Sequence, residues 1–242
     1  MMKKIVVTGG TSGVGLSIAK DLAIDNHVII IGRDSRKGEI QAEKLGDNVT
    51  FIQTDLSQVD NGNELLSQLS DKLGVIDVLV LSAGVFPKNK NDNISNNLVS
   101  HYNTVMKLMP LLRNGRVLQV SGNPQAVSIL PICERQLNAI ERASWLITHK
   151  TLLMVYLSHV LQKYHIKVNS FFPGDVQSNL MPYTKALHNT DVPVGRYLAL
   201  NESLSEKNGV FFDKNGQEIY LDKDKYSFEN AKLILSQYIK LT

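Results

Sequence analysis

The chain holds a single cysteine, Cys133, among its 242 residues, so no disulfide can form within it and a cysteine-rich metal site is excluded. The six histidines show no metal-ligand spacing either. Lysine and arginine number 26 against 23 aspartates and glutamates, and the basic residues are spread over the whole chain, which argues against nucleic acid as a partner. We therefore expect neither a metal site nor a nucleic-acid partner.

Long apolar runs are also absent. The run from Ile5 to Val7 is interrupted by Thr8 and two glycines, and it is too short for the apolar region of a signal peptide. No stretch approaches the roughly 18 uninterrupted apolar residues that favour a membrane-spanning helix. Hydrophobic residues make up 43% and charged residues 20%, which is ordinary for a globular protein. These features predict a cytoplasmic protein with a hydrophobic core and no membrane span.

The sequence does contain an alternation of short apolar runs with helical patterns. β-branched runs at 4–8, 27–31, 49–53, 75–81, 116–120 and 166–171 are separated by stretches with apolar residues at helical spacing. Strands that are apolar on both faces are typical of a parallel sheet covered by helices. We predict an α/β fold in three layers, a Rossmann-like doubly wound parallel sheet, formed by one domain that spans 1–242.

The other segments are predicted from composition. The polar stretch 88–97 is predicted to be a surface loop that runs into a helix ending near Leu112. The alternation breaks after Gly174, and residues 175–208 are predicted to form an irregular cover over the substrate site. Two short strands are expected within 210–221, and a closing helix within 228–239.

A glycine-rich turn, Thr8-Gly-Gly-Thr-Ser-Gly-Val-Gly15, joins the first strand to the first helix. Such a turn directs backbone N–H groups and the positive helix end into a space that glycine keeps open, and a pyrophosphate fits there. The spacing is not a Walker A loop, because no Lys-Ser/Thr follows the last glycine. It is not G-x-G-x-x-G either, because Ile18 holds the third position. The turn predicts nucleotide binding.

The second strand ends at Arg33, where an NAD-binding protein usually has a carboxylate for the ribose hydroxyls. A guanidinium matches a 2′-phosphate instead, so the sequence favours NADP(H) over NAD(H). The alternative is that Arg33, like Arg36 and Lys37 nearby, is a solvated charge at the end of the strand.

The spacing T-G-x-x-x-G-x-G and several later segments resemble the short-chain dehydrogenase/reductase family. Asp55 in Thr54-Asp-Leu-Ser matches the acidic residue that touches the adenine in that family, and Ser82-Ala-Gly84 is similar to its Asn-Ala-Gly. Asn97 resembles the asparagine in helix four of that family. Residues 173–178 resemble the family's segment that closes over the nicotinamide. The tail from Gly209 looks like the retinol-dehydrogenase-like branch. The resemblance implies a cofactor site formed by Gly9, Thr11, Ser12, Gly13, Val14, Gly15, Arg33, Asp55, Leu56, Ser82, Ala83, Gly84, Lys150, Pro173, Gly174, Val176 and Ser178.

The family's catalytic set is incomplete in this chain. Its Tyr-x-x-x-Lys places both side chains on one helix face, so that the ammonium lowers the pKa of the phenol. Lys150 aligns with the lysine, but Leu146 then holds the tyrosine position. Gly122 most readily takes the place of the catalytic serine, with Ser121 as the alternative.

The remaining catalytic candidates are therefore Lys150, Asn97 and Ser121. Thr148, His149 and Tyr156 are the nearest other proton donors, but they lie on other faces of the helix and are expected to pack instead.

Two functions follow. The first is an NADP(H)-dependent oxidoreductase that acts on a carbonyl, an alcohol or an activated double bond of an unidentified small molecule. The second is a catalytically silent cofactor-binding sensor or partner protein.

The helix over 143–164 carries more apolar residues than one core face needs, which predicts a homo-oligomer through the helices near 97–112 and 143–164.

Overall fold

The computed structural model describes residues 2–180 and 183–242, and these form one eight-stranded sheet in the order β3-β2-β1-β4-β5-β6-β7-β8. The strands are β1 (Lys4–Thr8), β2 (His27–Gly32), β3 (Val49–Gln53), β4 (Val78–Leu81), β5 (Arg116–Val120), β6 (Lys167–Phe171), β7 (Phe211–Phe212) and β8 (Glu218–Ile219). Every neighbouring pair is parallel except β7 with β8. The predicted doubly wound α/β fold is confirmed.

Helices cover both faces of the sheet. They are α1 (Gly13–Leu22), α2 (Ser35–Leu45), α3 (Asn61–Leu73), α4 (Lys90–Ile94), α5 (Ser100–Leu108), α6 (Pro124–Ile129), α7 (Ala139–Leu161), α8 (Pro193–Leu200) and α9 (Phe228–Leu235). The alternation of β1 shows how the layers are built. Val6 packs in the core layer that contains α3, α5 and α7, whereas Ile5 and Val7 pack in the layer that contains α1 and α8. All three side chains are fully buried, as the apolar runs predict.

The prediction of a surface loop over 88–97 is wrong, because this stretch is helical from Lys90 onward. The side chain of Asn89 caps α4 by accepting a hydrogen bond from the Asp92 backbone N–H at 2.9 Å. A π-helical turn, Ser95–Val99, then leads directly into α5. Asn93 is fully buried and donates to the Gln136 side chain at 2.8 Å, so a distant segment fixes a helix that the polar composition hides.

Most other element boundaries follow the sequence. Strand β4 begins at Val78 rather than Val75, α7 begins at Ala139 rather than Ala143, and α9 ends at Leu235. The two short strands predicted within 210–221 are present as β7 and β8. Residues 175–208 contain α8 between loops and short 3-10 turns, except that 181–182 lie outside the described residues.

The additional apolar residues of α7 face α9 and the segment that follows α9 in the same chain. Tyr156 stacks on Phe228 with ring centroids 5.8 Å apart, and Trp145 meets the edge of the Tyr238 ring at 5.2 Å. The apolar surplus that suggested an interface is thus accounted for within the chain, while self-association itself stays a prediction. No helix in the described part of the chain is long and apolar enough to cross a membrane.

Candidate functional site

A cleft of about 1180 Å³ opens at the carboxyl ends of β1, β2 and β4. The strand order reverses direction between β1 and β4, and ligands of open α/β sheets bind at such a switch point. Thirteen of the predicted cofactor residues line the cleft: Gly9, Thr11, Ser12, Gly13, Val14, Gly15, Arg33, Asp55, Leu56, Ser82, Ala83, Gly84 and Ser178. The structure thus brings together residues that lie up to 169 positions apart in the sequence.

The glycine turn is shaped so that side chains have no room at its bends. Gly9 and Gly13 adopt φ angles of +67° and +53°, which L side chains rarely tolerate. A Cβ at Gly9 would lie 2.8 Å from the Ala83 Cα, and one at Gly15 would collide with the Gly9 carbonyl. The turn therefore packs directly against the Ser82–Gly84 segment, and its backbone remains open toward the cleft.

The side chain of Thr8 connects the glycine turn to the Ser82–Gly84 segment. Its hydroxyl accepts hydrogen bonds from the backbone N–H groups of Ser82 and Ala83, both at 3.1 Å, and donates to the Val80 carbonyl at 3.2 Å. Because this hydroxyl is fully buried, the contacts fix the end of β4 relative to the glycine turn.

Arg33 lies at the far end of the cleft with an exposed side chain. Its guanidinium makes no ion pair with a carboxylate of the described residues, whereas other arginines such as Arg196 and Arg135 do. Asp55 lines the cleft nearby, and its Oδ1 accepts from the backbone N–H and the hydroxyl of Ser57 at 3.0 and 2.7 Å. This end of the cleft therefore presents one positive and one negative group.

Asn97 lies beneath the cleft and does not line it. Its side chain is 2% exposed, accepts from the Val85 N–H at 2.8 Å and donates to the Val85 carbonyl at 3.0 Å. A third bond, from Nδ2 to the Asn93 side chain at 3.0 Å, uses the second N–H. The side chain therefore holds the segment that follows Gly84, and its polar groups are all in use.

Lys150 reaches the edge of the cleft from α7. Its ammonium donates to the carbonyl of Val120 at 2.5 Å, and Val120 lines the cleft while Lys150 itself does not. Burial lowers the pKa of Lys150 to about 7, so its charged form is only just maintained at neutral pH. Ser121 follows Val120, and its hydroxyl is buried without a hydrogen-bond partner among the described residues.

The positions of the missing serine and tyrosine are filled by apolar packing. A Cβ on Gly122 would lie 2.7 Å from Cγ1 of Ile147, so this side chain occupies the space beside the glycine. Leu146 and Ile147 both pack against the hydrophobic core. No described residue of α7 lines the cleft.

The other donors on α7 also pack, as the sequence predicts. Thr148 and His149 are fully buried, and His149 Nδ1 lies 2.8 Å from the Trp145 carbonyl. Burial lowers the pKa of His149 to about 4, which keeps it neutral. Tyr156 donates to the backbone carbonyl of Thr242 at 2.7 Å.

The segment after β6 crosses the cleft only at its end. Ser178 lies against the glycine turn, 3.0 Å from a Cβ built on Gly13, and its hydroxyl lies 2.9 Å from that of Thr184. Pro173, Gly174 and Val176 do not line the cleft, and Val176 is buried in the layer beside α8.

Sequence reasoning missed the surroundings of Lys150. His101 and Gln119 are buried near it, and neither is among the site residues that the sequence predicts. The available signal was that His101 lies four residues after Asn97, which places both on one face of the helix.

Comparison with known proteins identifies the family. The short chain dehydrogenase family model matches residues 3–128, about half of the chain. A 3-oxoacyl-[acyl-carrier-protein] reductase of Chlamydia pneumoniae is 30% identical over 215 residues, which are 80% of this chain and 83% of that protein. The human polyprenol dehydrogenase is 27% identical over 201 residues, which are 72% of this chain but only 61% of that protein. The chain belongs to the short-chain dehydrogenase family.

Solved structures share the fold at low sequence identity. A 3-ketoacyl-(acyl-carrier-protein) reductase from Brucella melitensis, complexed with NADH, matches with a TM-score of 0.72 at 20% identity, over 87% of this chain and 96% of that one. A short chain dehydrogenase from Shigella flexneri, complexed with NADP, matches with a TM-score of 0.75 at 19% identity, over 88% and 97%.

Proposed function

We propose that this short-chain dehydrogenase family member binds NADP(H) in the cleft and acts as an oxidoreductase on a carbonyl, an alcohol or an activated double bond. The observation that carries the proposal is the glycine turn, whose open backbone shares one cleft with Arg33, an arginine that pairs with no carboxylate of the described residues. A side chain at Gly9 or Gly15 would collide with the backbone of Ala83 or of Gly9, so the turn needs glycine to adopt this compact shape, and a backbone without side chains suits the approach of a pyrophosphate. A bound nicotinamide would supply or accept the hydride.

The residues of the chain have separate roles in this proposal. Arg33 pairs with the 2′-phosphate, Asp55 contacts the adenine end, and Ser178 covers the pyrophosphate. Lys150 presents a positive charge at the edge of the cleft near the nicotinamide ribose. Asn97 holds the backbone at Val85, and neither Asn97 nor Ser121 transfers a proton.

A second function, a catalytically silent cofactor-binding sensor, has its own supporting observation. Ile147 fills the space beside Gly122, and Leu146 offers no proton where the family has a phenol. General-acid catalysis typically contributes about 10²–10⁴-fold, so reduction of simple ketones is expected to be weak or absent. Both versions of the proposal include a cytoplasmic location and self-association through the helices near 97–112 and 143–164.

The test is calorimetric titration of the purified protein with NADPH and with NADH. Charge-assisted hydrogen bonds contribute about 1.5–3 kcal/mol, so NADPH should bind roughly 10- to 100-fold more tightly. Arg33→Ala should remove most of that preference, while Arg113→Ala, an exposed arginine just before β5, should leave it intact. Equal affinities of the parent protein for both cofactors would overturn the NADP(H) assignment.

A further inference from the structure

Three buried side-chain amides form a row that runs from the wall of the cleft to the loop before α7. This amide row consists of Asn97, Asn93 and Gln136, which are 2%, 0% and 5% exposed. Asn93 and Asn97 lie one helical turn apart, whereas Gln136 lies 43 positions after Asn93. The row ends at Val85, which lines the cleft together with Phe86.

The contacts along the amide row fix the orientation of each amide. Asn93 Nδ2 uses both of its N–H groups, since it donates to Gln136 Oε1 at 2.8 Å and to the Arg142 backbone carbonyl at 3.0 Å. Asn93 Oδ1 therefore faces Asn97 and accepts from its Nδ2 at 3.0 Å. Asn97 in turn donates to the Val85 carbonyl and accepts from the Val85 N–H. A reversed Asn93 amide would set its oxygen against two other acceptors, so the order of donors and acceptors is determined from Gln136 to Val85.

Arg142 connects the same two segments a second time. Its Nε donates to the Pro87 carbonyl at 2.9 Å, and its Nη1 donates to the Gln136 backbone carbonyl at 3.4 Å. The cleft wall is therefore held at Val85 by the amide row and just behind it, at Pro87, by the guanidinium. Asn93, Gln136 and Arg142 do not line the cleft themselves, so they act on a bound ligand only through this wall.

We propose that Asn93 and Gln136 are positioning residues for the cofactor cleft. They act through Asn97, which holds Val85 in the wall, and so fix the shape of the cleft before the cofactor binds. A preformed site loses less conformational freedom on binding and therefore binds more tightly. The proposal rests on the proposed function, because it takes NADP(H) to be the occupant of the cleft.

The first measurement is amide hydrogen exchange of Val85 in the cofactor-free protein, followed by NMR. Gln136→Met keeps the length of the side chain but leaves a buried N–H of Asn93 without its acceptor, and we expect the Val85 amide to exchange about tenfold faster. Asn93→Asp removes both donors and should have the same effect or a larger one. Gln136→Glu keeps an acceptor oxygen, and the Nε2 that it replaces has no partner within the described part of the chain, so this variant should exchange at the parent rate.

The second measurement is the NADPH affinity of the same variants by calorimetry. Gln136→Met and Asn93→Asp should bind NADPH about tenfold more weakly than the parent, because the wall is no longer held in place. Gln136→Glu should bind like the parent.

Asn169 provides the matched control, because it is a buried amide that holds a different backbone segment in the same way. Its side chain is 4% exposed, donates to the Lys207 carbonyl at 2.8 Å and accepts from the Val210 N–H at 2.9 Å. Lys207 and Val210 do not line the cleft. Asn169→Leu should therefore accelerate exchange at Val210 and lower stability, but leave Val85 exchange and NADPH affinity at the parent values.

Unchanged Val85 exchange in folded Gln136→Met or Asn93→Asp would overturn the proposal, and either variant decides this alone if the other does not fold. Unchanged NADPH affinity despite faster Val85 exchange, or an equal loss of affinity in Asn169→Leu, would also overturn it. A parent protein that does not bind NADPH would contradict the proposed function, whereas the exchange rates would still show whether the amide row holds the wall.

Discussion

Ile147 on α7 packs against Gly122 after β5, with its Cγ1 2.7 Å from where a Cβ on that glycine would lie. The two residues are 25 positions apart in sequence, and the contact closes the place that the family resemblance gives to a catalytic serine. A side chain at residue 122 and that of Ile147 therefore compete for the same space, so we expect that Gly122→Ser alone does not restore the family arrangement.

Gly122→Ser alone should destabilise the protein by about 1–3 kcal/mol, because its Cβ overpacks against Ile147. Gly122→Ser combined with Ile147→Ala should recover part of that loss, because the collision is relieved. Urea denaturation of the parent, both single variants and the double variant gives the coupling energy. Strict additivity of the two single effects would show that the side chains do not compete for the same space.

Catalytic repair should need three substitutions. Leu146→Tyr with Gly122→Ser and Ile147→Ala supplies a phenol, a hydroxyl and the space for it, and we expect NADPH oxidation at 340 nm with small ketones to rise above the parent rate. Leu146→Phe with the same two changes is the matched control without a phenolic hydroxyl. Robust ketone turnover by the parent that survives Lys150→Ala would instead place the proton donor elsewhere.

Gly13→Val should abolish cofactor binding, because the turn has a φ of +53° and a Cβ there would lie 3.0 Å from the Ser178 Cβ. Lys150→Ala should only weaken binding, since it removes contacts to one ribose. Gly74→Ala provides a matched control, because Gly74 has a φ of +71° at the end of α3, away from the cleft. It should lose stability through backbone strain but retain NADPH affinity in calorimetry. Normal binding by folded Gly13→Val would show that the turn is not the cofactor site.

The stability of the protein should rise with pH above about 7 through Lys150. Burial lowers its pKa to about 7 in the folded protein, whereas an unfolded lysine titrates near 10.4. Between these values the unfolded chain binds a proton that the folded protein does not, so the free energy of unfolding increases by up to about 1.4 kcal/mol per pH unit. Lys150→Met should remove this part of the slope, and Lys232→Met, an exposed lysine on α9, should keep it. Parallel pH profiles of the parent and Lys150→Met would contradict the buried charge.

Arg116 should be required to hold α8 against the sheet. Its guanidinium donates to the carbonyls of Leu198, Ala199 and Asn201 at 3.0, 3.4 and 2.9 Å, at the carboxyl end of that helix. Hydrogen bonds from a charged group contribute about 1.5–3 kcal/mol, so Arg116→Met should cost about that much. Arg113→Met is the exposed control, and thermal unfolding compares the two. Equal melting temperatures would show that these contacts contribute no net stability.

The fold and the glycine turn that lines the cleft were predictable because their signals are local. Each signal lies within a few residues of sequence. Apolar runs predict β1 and β2, and the glycines from Gly9 to Gly15 predict the turn. The helix at Lys90 was not predictable from composition, because its asparagines favour loops until Gln136, far along the chain, binds Asn93.

The arrangement around the expected catalytic residues was harder to predict from the sequence. The sequence has leucine at position 146, so the absence of a phenol there could be predicted. That Ile147 occupies the space beside Gly122 could not, because this depends on how α7 packs against β5. The same holds for His101 and Gln119, whose burial depends on packing between separate elements.

A crystal structure of the NADPH complex tests the central claim most directly. The account predicts the pyrophosphate against the Gly9–Gly15 turn, the 2′-phosphate at Arg33, and no tyrosine or serine hydroxyl within about 3.5 Å of the nicotinamide C4. A cofactor bound outside this cleft, or a phenol or imidazole beside the nicotinamide C4, would contradict it.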